Sequence, residues 1–154
     1  MLTRQTRISC LVIVAALALA ASAFAHVRIS PGEVAAGATE RYSMRVPTER
    51  QSPTVRLEVE FPAAVNVISF EAAPGWKIEP KKDTQGKIIG AAWSGASIPF
   101  AEYRDFYFQA RNPETEMKLE WKVIQIYEDG TRSEWTGPES SRTPGPVTIV
   151  KKKG

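Results

Sequence analysis

The stretch TVRLEVEF, residues 54–61, has the alternating pattern that decides the fold. Apolar and charged side chains take turns along it: Val55, Leu57, Val59 and Phe61 against Arg56, Glu58 and Glu60. Successive side chains of a β-strand point to opposite faces, so a period of two buries one face and leaves the other in water. The stretch therefore predicts a strand that is covered on one side by a core.

Working outward from this stretch, the same alternation recurs at residues 41–46, 106–110 and 118–123. Weaker strand signals follow, and turn pairs such as Pro74-Gly75 and Asp129-Gly130 separate them: 65–70, 76–79, 87–93, 132–135 and 147–150. After residue 25, no segment of ten or more residues has clean helical periodicity. Many short strands between turns predict an all-β antiparallel sandwich of about eight or nine strands in two sheets. The run 118–127 predicts one long central strand.

The first 25 residues have a different composition. Arg4 and Arg7 precede an almost wholly apolar segment, residues 8–21, and Ala23-Phe24-Ala25 follows as a small-residue cleavage pattern. This order is typical of a secretory signal peptide. The apolar segment is shorter than the roughly 20 residues that cross a bilayer. We therefore expect cleavage after Ala25, a periplasmic or secreted domain at 26–154, and no membrane insertion of the mature chain.

Removing the predicted signal changes the chemistry that the chain can support. Cys10 is the only cysteine, so the mature domain has no disulfide, zinc–thiolate cluster or thiol nucleophile. Without Arg4 and Arg7, the formal net charge falls from +3 to +1. The lysines at 151–153 are interpreted as a solvated tail, and no nucleic-acid partner is predicted.

Cleavage after Ala25 would make His26, the only histidine, the first residue of the mature domain. Its α-amine and its ring Nδ1 could then hold one metal ion and close a six-membered chelate ring. Both kinds of nitrogen lose their protons far more easily than a lysine amine does. Amine and imidazole ligands suit Cu(II), which binds most tightly in the divalent series. The residues alone leave two interpretations open: a chelating terminus, or a histidine that merely follows the cut.

Several other chemistries lack their residues. A two-histidine copper brace needs a second histidine, and only Met44 and Met117 would remain for a thioether Cu(I) site. A Ser-His-Asp triad would have to recruit His26 at the chain terminus. We therefore predict that the protein is not an enzyme. A metal-free extracytoplasmic interaction or assembly module remains the alternative, and an oxygen-activating or electron-transferring copper enzyme is disfavoured.

In the order and spacing of several short motifs, the chain resembles the YcnI-like family, also called domain of unknown function 1775. The resemblance covers nearly the whole mature domain. The matching motifs are Ala25-His26-Val27, Pro31, Ala36-Gly37, residues 42–49, Pro53-Thr54, Pro74-Gly75-Trp76, Trp93, residues 106–113, Trp121, Gln125, Tyr127, Asp129-Gly130 and Trp135.

The resemblance implies an exported immunoglobulin-like or fibronectin III-like sandwich that binds Cu(II) through a single-histidine brace, which here would be His26. It places a tryptophan near the ion, matched by Trp135, whose indole has no good lone pair and would shield or orient. Glu49, in the matching motif, is the first candidate for an acidic ligand. The other candidates are Glu33, Glu128 and Glu134. The expected role is copper trafficking or homeostasis, with the copper ion and other periplasmic or membrane copper-handling proteins as partners.

Overall fold

The computed structural model describes residues 25–152, which form twelve β-strands and no helix. The strands are β1 (Arg28–Ser30), β2 (Glu33–Ala35), β3 (Thr39–Pro47), β4 (Thr54–Glu60), β5 (Asn66–Phe70), β6 (Lys77–Lys82), β7 (Ile88–Ile98), β8 (Tyr103–Arg111), β9 (Met117–Glu120), β10 (Lys122–Tyr127), β11 (Arg132–Trp135) and β12 (Val147–Lys151). The predicted signal peptide, apart from Ala25, lies outside the described residues, as does Cys10. In residues 25–152, no helix is long and apolar enough to cross a membrane.

Three hydrogen-bonded sheets enclose the core. The four-stranded sheet has the order β1-β3-β8-β5, the five-stranded sheet β11-β10-β4-β7-β6 and the three-stranded sheet β2-β12-β9. The predicted all-β sandwich is confirmed. The structure has more strands than predicted because several have only three or four residues, and it has a third sheet. The pair β2–β12 is parallel, whereas the prediction had every pair antiparallel.

The stretch that indicated the fold forms β4, at the centre of the five-stranded sheet. Leu57 and Val59 are buried, as predicted, while Arg56 and Glu58 pair with each other on the outer face. Val55 departs from the pattern and is only half-buried, because the register against β7 shifts between Thr54 and Arg56. Thr54, which the shift turns inward, is fully buried and becomes part of the site described below.

Aromatic rings fill the space between the sheets. Tyr42 stacks on Phe108 at 5.4 Å between ring centroids and meets Trp121 at 5.2 Å. The Tyr42 hydroxyl donates to Asn112 Oδ1 at 2.5 Å, and Asn112 Nδ2 donates to the Ala35 carbonyl oxygen at 3.0 Å. Burial raises the pKa of the Tyr42 phenol well above its usual value. The ring therefore stays neutral and provides a satisfied polar group inside an apolar core.

The predicted long strand at 118–127 is wrong, because the chain changes sheets at Trp121. Residues before it form β9 in the three-stranded sheet, and residues after it form β10 in the five-stranded sheet. The Trp121 backbone nitrogen donates to the Pro146 carbonyl oxygen at 3.0 Å, and its indole nitrogen donates to Thr148 Oγ1 at 3.1 Å. Apolar residues on both faces of the run thus reflect a crossing between sheets.

The segment before β1 and the end of β11 meet at one corner of the sandwich. His26 lies just before β1, which pairs with β3 in the register Arg28↔Arg45. Continuing that register by two residues puts His26 beside Pro47, the last residue of β3. Trp135 ends β11, one of the two edge strands of the five-stranded sheet. The corner is therefore built from both larger sheets.

Candidate metal centre

The imidazole of His26 packs against the indole of Trp135. Their ring centroids are 5.7 Å apart and the ring planes are inclined at 57°. Trp135 is 7% exposed, whereas His26 is half-buried at the open corner. One side of the imidazole is therefore covered by a fixed aromatic ring, while solvent can still reach the histidine.

Glu49 lies in the connection between β3 and β4, and its carboxylate accepts a hydrogen bond from the backbone nitrogen of Ala25. The peptide bond that follows Ala25 is the one that the predicted cleavage would break. The α-carbons of Ala25 and His26 are about 3.8 Å apart across a trans peptide. An amine freed at His26 would therefore lie one residue along the chain from the Ala25 nitrogen, which already donates to the Glu49 carboxylate.

The other three candidate carboxylates have different surroundings. Glu33 forms an ion pair with Lys151, and Glu134 forms one with Arg132 at 2.8 Å. Glu128 is exposed, and its backbone nitrogen donates to the Pro53 carbonyl oxygen at 2.9 Å. Of the four candidates, Glu49 is the one that the structure brings to the N-terminal segment.

A buried polar network lies behind Trp135. The indole nitrogen of Trp135 donates to Gln125 Oε1 at 3.0 Å. Gln125 Nε2 donates to the Pro47 carbonyl oxygen at 2.8 Å and to Thr54 Oγ1 at 2.6 Å. The Thr54 hydroxyl also lies 2.6 Å from that of Thr48. This network joins β3, β4, β10 and β11 directly beneath the corner.

The sequence interpretation missed any role for Gln125, although a signal was present. Val123, Gln125 and Tyr127 share one face of β10, and all three are buried. A glutamine between two core residues of an alternating strand must find hydrogen-bond partners inside the protein. That requirement could have marked it as part of a buried polar site.

A second set of contacts joins the Glu49 segment to the β10–β11 hairpin. The Arg50 guanidinium lies 4.6 Å from the ring centroid of Tyr127, and its Nη1 donates to Thr131 Oγ1 at 3.0 Å. Asp129 accepts from the Thr131 hydroxyl at 2.6 Å and from its backbone nitrogen at 2.9 Å. These two bonds, the hydroxyl first, hold the pKa of the Asp129 carboxyl below its usual value. The loop carrying Glu49 and the hairpin preceding Trp135 thus support one another.

The donors at the corner fit Cu(II) only if the terminal amine is included. Within the described range 25–152, no group of three or more histidine, cysteine, aspartate or glutamate side chains could hold a metal ion. His26 and Glu49 supply one imidazole nitrogen and one carboxylate oxygen. A freed α-amine would make a set of two nitrogens and one oxygen, which suits Cu(II).

The architecture defines this protein as an immunoglobulin-like β-sandwich. The crystal structure of an uncharacterized protein from Nocardia farcinica, reported to have an immunoglobulin-like fold, matches it with a TM-score of 0.72 at 22% identity. That match covers 81% of this chain and 97% of the other. A cohesin module of a Clostridium perfringens family 33 glycoside hydrolase matches with a TM-score of 0.56 at 12% identity, over 83% of this chain and 97% of that one. At these identities the likeness concerns the fold alone.

The chain belongs to the family described as domain of unknown function DUF1775, whose model matches residues 26–149. The predicted family is therefore confirmed. The chain is also 36% identical over 132 residues to a Bacillus subtilis (strain 168) protein named copper-binding protein CutI. The match covers 84% of this chain and 64% of the length of that relative.

Proposed function

We propose that this protein is an exported carrier that binds Cu(II) at the N-terminus of its processed chain and serves copper trafficking or homeostasis. One observation carries the proposal: the His26 ring packs on Trp135 while the Glu49 carboxylate reaches the peptide nitrogen immediately before His26. The similarity to a relative named as a copper-binding protein supports the choice of metal. Export and cleavage after Ala25 form part of the proposal.

Each residue has a distinct part in this site. The His26 amine and Nδ1 chelate the ion, and both must be free of protons to do so. The Glu49 carboxylate supplies an oxygen and a negative charge that offsets part of the charge of the ion. Trp135 covers one side of the imidazole and limits how the ring can turn. The solvent-facing side leaves room for a ligand from a partner protein, which a carrier needs in order to pass its ion on.

A competition titration with a Cu(II) chelator compares three forms of the protein. The chain beginning at His26 binds one ion. Its His26→Ala variant binds it at least about a hundredfold more weakly, since loss of a direct ligand should cost at least as much as loss of a group that supports one. A chain beginning at Ser22 keeps His26 but has its amine four residues away, and it also binds weakly.

Equal dissociation constants for the three forms would overturn the proposal. Nitrogen hyperfine splitting in the electron paramagnetic resonance spectrum of the loaded protein gives a second check, because the His26→Ala variant must lose the imidazole contribution. If the natural exported chain begins elsewhere, the amine that completes the site is absent. The metal-free interaction module would then be the better explanation.

A further inference from the structure

The side-chain amide of Gln125 is buried beneath the corner and fully hydrogen-bonded. Its side chain is 0% exposed and makes three hydrogen bonds, to Trp135, Pro47 and Thr54. If the hydrogen-bond partners of this amide lay only on its own strand, its role would be limited to the stability of the core. Its partners instead lie on three other strands. One of them, Trp135, contacts His26 directly, and another, Pro47, is two residues before Glu49.

The chemistry of the partners fixes the orientation of this amide. An indole nitrogen can only donate a hydrogen bond and a backbone carbonyl can only accept one. Gln125 must therefore direct its oxygen to Trp135 and its nitrogen to Pro47, and the reversed amide would leave both contacts unfavourable. The Thr54 hydroxyl takes the second amide proton. The amide thus has one stable orientation.

We propose that Gln125 is the positioning residue of the metal centre. Its oxygen holds the indole of Trp135 at the angle that meets His26. Its nitrogen holds the Pro47 carbonyl, two residues before Glu49 and beside His26 in the continued β1–β3 register. One side chain therefore fixes the spacing between the indole that covers the histidine and the segment that supplies the carboxylate. This inference rests on the proposed function, which assigns the corner to Cu(II).

The same core contains a comparable pair that is hydrogen-bonded to none of His26, Glu49 and Trp135. The indole nitrogen of Trp121 donates to Thr148 Oγ1 at 3.1 Å, and both residues are buried. The Thr148 hydroxyl also donates to the Pro31 carbonyl oxygen at 3.3 Å. Thr148→Val removes the acceptor of one buried indole, and Gln125→Met removes the acceptor of another. Both variants leave a buried donor without a partner and should lower stability. Only the second should alter the metal centre.

The test combines a metal-free and a metal-bound measurement on the chain beginning at His26. In the metal-free protein, NMR follows solvent exchange of the Trp135 indole proton, assigned with a Trp135→Phe variant. In Gln125→Met we expect this exchange to be about tenfold faster or more, because the hydrogen bond is lost. Cu(II) should bind about ten- to a hundredfold more weakly, the usual effect of removing a group that orients a metal ligand. The electron paramagnetic resonance spectrum should change as well.

Conservative variants separate positioning from general loss of structure. Gln125→Glu keeps an acceptor for Trp135 but sets an oxygen against the Pro47 carbonyl, so the indole proton stays protected while Cu(II) binding still weakens. If Gln125→Met fails to fold, Thr54→Val removes one hydrogen bond of the Gln125 amide, together with the contact to Thr48, and leaves the bonds to Trp135 and Pro47 in place. It should give a smaller change of the same sign. Thr148→Val should leave the Cu(II) spectrum and affinity unchanged.

The outcomes distinguish this inference from the proposed function. If Cu(II) binding depends on His26 yet Gln125→Met and Thr148→Val behave alike, Gln125 has only a structural role and the inference is wrong. If binding does not depend on His26, the proposed function fails. The metal-free exchange of the Trp135 indole proton still measures whether Gln125 holds that ring.

Discussion

At the level of single residues, Gly90 lies on β7 where the backbone of the neighbouring strand β4 comes very close. A β-carbon added there would lie 2.7 Å from the carbonyl oxygen of Val59 on β4. Backbone cannot move aside without disturbing the β4–β7 pairing, so Gly90→Ala should lower the free energy of unfolding by about 1–3 kcal/mol. Chemical denaturation measures the change.

Gly32→Ala is the matched control for this substitution. A β-carbon at Gly32 would meet nothing within 4 Å, and its backbone is not in the left-handed region. Its free energy of unfolding should therefore stay within about 0.5 kcal/mol of the parent. If the two variants were equally stable, close approach at Gly90 would not be what excludes a larger residue.

Individual residues also show what the sequence could indicate and what it could not. His26 could be identified because the cleavage pattern and the lone histidine are adjacent in the chain. The alternating pattern could have marked Gln125 as a buried polar residue, but not its link to the corner, because its partners Pro47 and Thr54 are 78 and 71 positions away. Glu49 could not be separated from Glu33 and Glu134 until the basic partners of those two were known. The ligand roles of His26 and Glu49 stay predictions.

The hairpin between β10 and β11 is the element that presents Trp135. Asp129 accepts two hydrogen bonds from Thr131, and these hold the turn that leads into β11. Asp129→Ala should therefore lower the melting temperature and speed solvent exchange of the Trp135 indole proton. Thermal unfolding and NMR exchange measure the two effects.

The hairpin between β6 and β7 provides a control of the same chemistry. Asp83 Oδ1 accepts from the backbone nitrogens of Gln85 and Lys87, both at 2.9 Å. Asp83→Ala should lower stability by a comparable amount and leave the Trp135 indole proton unaffected. Faster exchange in both variants would mean that the β10–β11 turn has no special influence on Trp135.

At the level of elements, alternation predicted the location of strands better than their partners. β4 appeared where the pattern of 54–61 placed it, since one of its faces lies on the core. The prediction for the run 118–127 was wrong because alternation shows which face of a strand is buried but does not show to which sheet the strand belongs. Trp121 marks the crossing only through its bonds to Pro146 and Thr148, which are remote in sequence.

For the molecule as a whole, part of the acid stability should come from an ion pair in the four-stranded sheet. Arg45 on β3 donates from Nε and Nη2 to both oxygens of Asp105 on β8, at 2.8 and 2.9 Å. These hydrogen bonds hold the pKa of the Asp105 carboxyl below its usual value. The stabilisation is therefore complete above the unfolded pKa, near 4, and is lost as the pH falls through the lower folded value.

Asp105→Asn should accordingly lower the melting temperature at neutral pH and flatten its decline below about pH 4. Glu71→Gln is the control, since Glu71 and its partner Arg41 are both about half exposed and their ion pair is screened by water. Its melting temperature should track that of the parent across the same range. Parallel acid profiles for the parent and Asp105→Asn would refute the assignment.

The number and arrangement of sheets are the whole-molecule features that the sequence left open. A period of two indicates a covered face without stating how many layers share the core. The third sheet depends on β12, which pairs in parallel with β2, more than a hundred residues earlier in the chain, and antiparallel with β9. Such pairings follow from the packed structure and have no local signature.

The strand that follows His26 is the shortest kind in the fold and pairs with β3 along one edge only. Val27 and Ile29, both buried, are the side chains that anchor it. Local fraying of a chain end requires far less free energy than unfolding of a domain. If the metal is held at this end, lifting five residues would carry the chelating histidine away from Trp135 and Glu49 while the remaining strands stayed in place. The ion would then be released by transient fraying of β1. The release rate would depend on how tightly Val27 and Ile29 pack in the core.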